Sequence, residues 1–167
     1  DQLPVVQLAA VTILAQAEAV SPEAAPHVVA LTTHSWPRMR AIAARCLGAA
    51  TSEPDIVVPA LTALLEDDSY RVRGAAVLSL RSFDRLPRDT EAPLLAFREY
   101  PLPVVRALAL ALIPRLEEPS ATAAQAADGL VEDADGNVAI VATAVRGALS
   151  QDIDGAVRAV IERVAEE

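Results

Sequence analysis

The fold of this chain is decided by residues 66–84, which read EDDSYRVRGAAVLSLRSFD. The first residues form an acidic turn, and the remainder has the pattern of an amphipathic helix. Within it, Val72, Ala76, Leu80 and Phe83 recur at helical spacing and make one apolar stripe. The pattern returns every 33 residues, which predicts a stack of repeats rather than a globule with one pocket.

The register of the repeat is clearest in three columns of residues. Stepping by 33 positions gives alanine five times in five, at Ala10, Ala43, Ala76, Ala109 and Ala142. Four positions earlier, an apolar column contains Val6, Met39, Val72, Val105 and Val138. Between them, an arginine column contains Gln7, Arg40, Arg73, Arg106 and Ala139. A small residue at the centre of the stripe lets a neighbouring helix approach closely.

The composition indicates which kind of core these repeats build. Of 167 residues, 53% are hydrophobic but only 3% are aromatic, so the core consists of Ala, Val and Leu. Closely packed helices suit such a core better than a β-sandwich. We therefore predict an all-α protein, a right-handed α-solenoid of antiparallel helix pairs with a period of about 33 residues.

Turn residues and apolar spacing place the individual helices. Ser21-Pro22-Glu23 has the pattern of a helix start, with an N-cap, a proline and an acid near the positive helix end. The predicted helices span residues 3–19, 21–33, 37–50, 55–65, 70–83, 89–98, 102–116, 120–131, 136–149 and 152–165. We expect residues 1–167 to form a single domain of about ten helices with a half unit at each end. Because it starts at Asp1 with half a unit, we also expect it to be a section of a longer solenoid.

The charge balance restricts the classes of partner. The net charge is −9, and every basic side chain is arginine, which we interpret as compositional bias of a bacterial-like kind. An acidic surface disfavours nucleic acid and anionic membranes as partners, since both require positive charge. Cys46 is the only cysteine, so no internal disulfide can form, and a reducing, cytoplasmic location is predicted. The apolar segment 3–17 is shorter than a membrane span of about 20 residues.

Three segments carry a resemblance to a known family. The clearest copy is residues 64–80, in which an acidic turn is followed by Val72-Arg73 and two alanines. The same pattern returns in residues 103–109 (PVVRALA), and a weaker copy is found in residues 38–43 (RMRAIA). The chain thereby resembles HEAT-like repeats of the phycobilisome-lyase type. The resemblance implies a binding scaffold, although some relatives assist bilin attachment and others bind DNA.

The resemblance also implies a structural role for the arginine column. In that family, pairs of arginine and acidic residues form a ladder that links neighbouring repeats. The residues predicted to form the ladder are Arg40, Arg73, Arg106, Asp67, Asp68 and Glu99. We place the acid in the turn preceding each arginine. In the repeat of Ala139 this bridge should be absent, which leaves Asp133 and Asp135 less compensated.

No group of residues has the pattern of a catalytic or metal site. Asp133, Asp135 and Asn137 have the initial spacing of a calcium loop, but the glycine is misplaced and the final glutamate is absent. Cys46 occupies a buried column of the register, so pairing it with His27 or His34 as a nucleophile and base is disfavoured. Two histidines without further ligands do not make a zinc site. We predict no enzyme activity, no cofactor and no metal.

The remaining candidate is a surface on the second helix of each repeat. The resemblance implies that these helices line the concave face. The residues predicted to bind a partner there are Trp36, Arg38, Arg45, Arg71, Arg81, Arg85 and Arg115. Tryptophan and arginine are enriched in interface hot spots, and arginines favour an acidic peptide or protein segment.

The leading functional prediction is therefore a protein-interaction scaffold. Two alternatives remain, an accessory subunit of an enzyme (a lyase-like or chaperone-like factor) and a nucleic-acid-binding protein that uses the arginine face. A response to a tetrapyrrole would favour the first alternative, and steeply salt-dependent retention on DNA the second. The apolar first helix predicts a further contact, end-to-end packing on another copy or on additional repeats.

Overall fold

A computed structural model describes Ala9 and residues 20–165, and this part of the chain contains nine α-helices. They are α1 Ala25–Ala30, α2 Pro37–Leu47, α3 Pro54–Leu64, α4 Tyr70–Leu80, α5 Glu91–Leu95, α6 Pro103–Leu112, α7 Ala121–Leu130, α8 Gly136–Ser150 and α9 Ile153–Ala165. The predicted all-α repeat fold is confirmed. The predicted helix over residues 3–19, with its proposed self-association, lies outside the described residues apart from Ala9.

Prolines set several helix boundaries. Pro37, Pro54 and Pro103 each open a helix, where the missing N–H costs nothing. The predicted helix over 102–116 ends as an α-helix at Leu112 and continues as the 3₁₀ turn Ile113–Arg115. Pro114 explains this change, because it has no N–H for an α-helical hydrogen bond. The predicted helix over 89–98 is not continuous, because the short α5 lies between two 3₁₀ turns, Arg88–Thr90 and Ala96–Glu99.

The chain divides into two compact units, Asp1–Asp84 and Arg85–Glu167. In the first unit, α2 packs against α4 along the predicted alanine column. Ala43 and Ala76 are fully buried, as are Met39 and Val72 one turn earlier on the same helices. The small alanines allow the two second helices of this unit to pack closely.

The second unit repeats the arrangement, with α6 packed against α8. Ala109 and Ala142 are buried at the contact. A short parallel bridge, which the sequence did not predict, joins Leu86 to Leu116. The Leu86 amide donates to the Arg115 carbonyl at 2.9 Å, and the Glu117 amide donates to the Leu86 carbonyl at 2.8 Å.

The prediction that residues 1–167 form a single domain stays a prediction. No helix within residues 20–165 is long and apolar enough to cross a membrane.

Candidate functional site

The arginine column makes a two-sided clamp in the first unit. Arg40 donates from Nε to Asp67 Oδ2 at 2.6 Å and from Nη2 to Asp67 Oδ1 at 2.8 Å. Its Nη1 donates to the carbonyl of His34 at 2.8 Å, in the turn that precedes α2. One planar guanidinium therefore fastens its own turn to the turn of the next repeat, a geometry that lysine cannot reproduce.

The second unit contains a clamp in the same direction, in which the carboxylate is held by one guanidinium nitrogen rather than two. Arg106 donates from Nη2 to Asp133 Oδ1 at 2.8 Å and from Nη1 to the Tyr100 carbonyl at 2.9 Å. Arg73 makes the corresponding contact to its own turn, from Nη1 to the Asp67 carbonyl at 2.8 Å. The carboxylate in each clamp lies 27 residues after its arginine.

This direction differs from the predicted one. We expected the acid in the turn before the arginine, but that turn supplies a backbone carbonyl and the following repeat supplies the carboxylate. Glu99 instead lies 3.4 Å from Arg98, and both side chains are exposed. Asp68 contributes its carbonyl, at 3.2 Å from Arg73 Nη1.

For the repeat of Ala139, the expectation that Asp133 would be less compensated was wrong. Asp133 is not left uncompensated, because Arg106 of the preceding repeat binds it and the Asp135 amide donates to it at 2.9 Å. Asp135 is the N-cap of α8 and accepts from the amides of Asn137 and Val138. These hydrogen bonds account for the acidic turn without a calcium ion.

The clamps shift the titration of their carboxylates. The hydrogen bond from Arg40 lowers the pKa of Asp67, and this effect exceeds the opposing effect of burial. The hydrogen bond from Arg106 likewise lowers the pKa of Asp133. Both carboxylates therefore stay charged to a lower pH than an aspartate with an ordinary pKa.

Five of the predicted partner-binding residues lie in the first unit. Arg38 and Arg45 are exposed on α2, Arg71 is exposed on α4, and Arg81 caps the end of α4. Trp36 is the N-cap of α2 and is 40% exposed. We call these five residues the arginine surface.

Aromatic contacts order two positions of the arginine surface. The rings of Trp36 and His34 pack edge to face with centroids 6.0 Å apart. The Arg71 guanidinium lies 5.8 Å from the centroid of the Tyr70 ring, and its Nε donates to the Tyr70 hydroxyl at 3.1 Å. Side chains held in this way lose less conformational entropy when they bind a partner.

The other two predicted residues lie in the second unit and are not on a second helix. Arg85 is exposed in the loop before Leu86. Arg115 belongs to the 3₁₀ turn after α6, is half-buried, and its carbonyl is occupied by the Leu86 amide. The break at Pro114 removes Arg115 from the α-helical face on which the prediction placed it.

On α6, the second helix that opens at Pro103 in the second unit, the corresponding face is apolar. Val104 takes the register position of Arg38 and Arg71 and is 62% exposed. It lines an apolar groove of about 500 Å³. Sequence reasoning missed this groove, although the column Arg38, Arg71, Val104 and Asn137 contained the signal.

Cys46 is placed where a nucleophile could not act. The thiol is 1% exposed on α2, and burial raises its pKa. We expect labelling of native Cys46 by a disulfide reagent to be about 100-fold or more slower than labelling of the urea-unfolded chain. The absorbance of the released thiolate measures both rates. Rapid stoichiometric labelling of the folded protein would contradict the buried placement.

Comparisons with known proteins agree with the architecture. A family model described as HEAT repeats matches residues 1–81 and 37–113. No curated protein matches the chain. One similar solved structure is a designed armadillo repeat protein, YIII(Dq)4CqI, with a TM-score of 0.66 and 17% sequence identity. The match covers 95% of this chain and 82% of that one, and at this identity it shows the fold alone.

Proposed function

Because the chain belongs to the HEAT repeat family, a class of helical scaffolds that typically mediate protein interactions, we propose that it is a non-catalytic scaffold. We infer that the arginine surface binds an acidic segment of a protein partner. The observation that carries this proposal is the exposure of Arg38, Arg45 and Arg71 on two adjacent second helices. The finer assignment to the phycobilisome-lyase type, and a cytoplasmic location, are part of the same proposal.

Charge and geometry favour an acidic protein segment over nucleic acid. Arg38 and Arg45 make no ion pair within the described part of the chain, so their charge is available to a partner. The protein as a whole carries a net charge of −9, which opposes the approach of an extended polyanion. A short acidic segment can approach the arginines locally and form bidentate hydrogen bonds with them.

Trp36 provides a direct test, because it is the only tryptophan in the chain and belongs to the arginine surface. We expect a glutamate-rich peptide of twelve residues to change the fluorescence of Trp36 saturably. The Arg38→Glu/Arg45→Glu/Arg71→Glu variant should weaken binding by about tenfold or more, since each substitution replaces attraction by repulsion. A glutamine-rich peptide of equal length measures the contribution of charge.

The matched control is Arg88→Glu/Arg98→Glu/Arg158→Glu, which changes net charge equally at exposed positions outside the arginine surface. It should keep most of the affinity for the acidic peptide. Equal loss in both triple variants would indicate a general charge effect and would overturn the proposed surface. Both variants should retain the helical circular dichroism of the parent, since all six arginines are exposed.

A further inference from the structure

The second unit presents a groove whose chemistry is opposite to that of the arginine surface. The groove lies along α6 and the start of α8 and has a volume of about 500 Å³. Its apolar wall is formed by Leu102, Val104, Leu108, Ala111 and Val141. Leu102 is 49% exposed and Val104 is 62% exposed, so large aliphatic side chains face solvent here.

The groove occupies the helix face that carries arginines in the first unit. In the 33-residue register, Val104 corresponds to Arg71, and Ala111 corresponds to Leu78 and Arg45. A solvated helix face has no need of exposed branched aliphatic residues such as Val104 and its neighbour Leu102. Their presence, at cost to solubility, is typical of a binding surface.

One end of the groove is polar and carries negative charge. Asp135 Oδ1 accepts from two backbone amides at the start of α8, which leaves Oδ2 available. The side-chain amide of Asn137 makes no hydrogen bond to any residue that the structure describes. Residues 85–167 contain eight arginines against fourteen acidic residues, so the surroundings also favour a cation.

We propose that this groove binds a protein segment in which an aliphatic side chain is closely followed by lysine or arginine. The aliphatic group packs between α6 and α8, while the cation pairs with Asp135 and the segment's backbone reaches Asn137. The inference rests on the proposed function only in that the partner is a protein segment. It names a second surface, with a preference opposite to that of the arginine surface.

Methyl NMR tests the groove residue by residue. The probe is a Gly/Ser-flanked Leu-Arg-Leu peptide, and the comparison probes carry Leu-Glu-Leu or Ser-Arg-Ser. We expect saturable shifts at the methyls of Leu102, Val104 and Val141 with Leu-Arg-Leu. Affinity should be about two- to fivefold lower for Leu-Glu-Leu, because an exposed ion pair becomes a repulsion. It should be about tenfold lower or more for Ser-Arg-Ser, because the apolar contact is lost.

Two variants and one control separate the contributions. Val104→Glu should abolish the groove shifts, while Leu78→Glu, at a 49% exposed position of the first unit, should leave them unchanged. Asp135→Ser preserves a good N-cap for α8 but removes the charge, and it should erase the preference for arginine over glutamate.

Three outcomes would overturn the proposal. The first is that the groove methyl resonances do not shift with Leu-Arg-Leu, and the second is that they respond equally to all three peptides. The third is that these resonances shift with protein concentration when no peptide is present, which would make a second copy the occupant. The acidic-peptide titration reports on Trp36, so these outcomes would not contradict the proposal for the arginine surface. Failure of that titration would likewise not contradict the proposal for the groove.

Discussion

Replacing Asp67 by alanine is expected to lower the free energy of unfolding by about 2–4 kcal/mol, because it leaves a largely buried guanidinium without its charged partner. The Arg40 side chain is 15% exposed and the Asp67 side chain 8% exposed, so water cannot replace the lost contacts fully. Asp67 Oδ1 also accepts the Ser69 amide at 2.8 Å, which orders the turn before α4. Urea denaturation of both proteins at pH 7 measures the difference.

The matched control is Asp84→Ala, which removes an exposed carboxylate from the same unit and should change stability by less than about 0.5 kcal/mol. A double-mutant cycle with Arg40→Ala isolates the pair, and we expect a coupling energy above about 1 kcal/mol. If Asp67→Ala were as stable as the parent, the clamp would be a geometric coincidence rather than a link between repeats.

The same clamp predicts the direction of the pH dependence. The pKa of Asp67 is lowered in the folded state, so folding releases a proton that the unfolded chain binds near its ordinary pKa of about 4. The stabilisation is present above that value and is lost as pH falls through it toward the lowered pKa. Asp67→Asn should therefore flatten the dependence of the urea midpoint between about pH 5 and pH 3. An unchanged slope would assign the acid sensitivity to other carboxylates, such as Asp133.

The sequence predicted the features that depend on local periodicity. Val72, Ala76, Leu80 and Phe83 were placed on one stripe, and all four are buried. An apolar stripe at helical spacing is removed from water when its helix packs against a neighbouring helix. The 33-residue register then fixes which residues of successive helices meet, as the buried alanine column shows.

Contacts between repeats could not be predicted in the same way. The two residues of each contact are 27 to 29 positions apart in the sequence, and whether they meet depends on how the turns stack. The clamp from Arg106 to Asp133 is one case, since sequence spacing alone favoured an acid in the nearer turn. Glu91 is another, a buried carboxylate that accepts from the Ser120 amide at 2.8 Å and from the Ser120 hydroxyl. Its neighbours in sequence give no sign that it would be buried.

The candidate site was predicted only in part for a related reason. Because the chain contains no lysine, arginine is its only strongly basic side chain, and the binding surface was therefore predicted at the arginines. The groove is formed by Leu102, Val104 and Leu108, and such residues are difficult to distinguish from core residues by sequence alone. Exposure, which only the packed structure reveals, separates the two.

Replacing Gly147 by alanine is expected to detach the last helix. A Cβ atom added at Gly147 of α8 would lie 2.1 Å from the Cβ of Ala156 on α9 and 3.0 Å from the Asp152 carbonyl oxygen. Both obstacles are backbone or are fixed to it, so a side-chain rotation cannot relieve the overlap. Overpacking of this kind costs about 1–3 kcal/mol or more, and α9 has no buried residue to resist displacement.

Amide hydrogen exchange would locate the effect. Residues 153–165 should lose protection about tenfold or more in Gly147→Ala, while residues 37–47 in the other unit remain protected. Gly129→Ala is the matched control, because it changes the same residue type within helix α7 and has nothing within 4 Å of the added Cβ. It should stabilise the protein by about 0.5–1 kcal/mol, since alanine restricts the unfolded chain more than glycine does. If Gly147→Ala also stabilised the protein, α8 and α9 would have to pack less closely than the 2.1 Å overlap requires, and the role assigned to this glycine would be wrong.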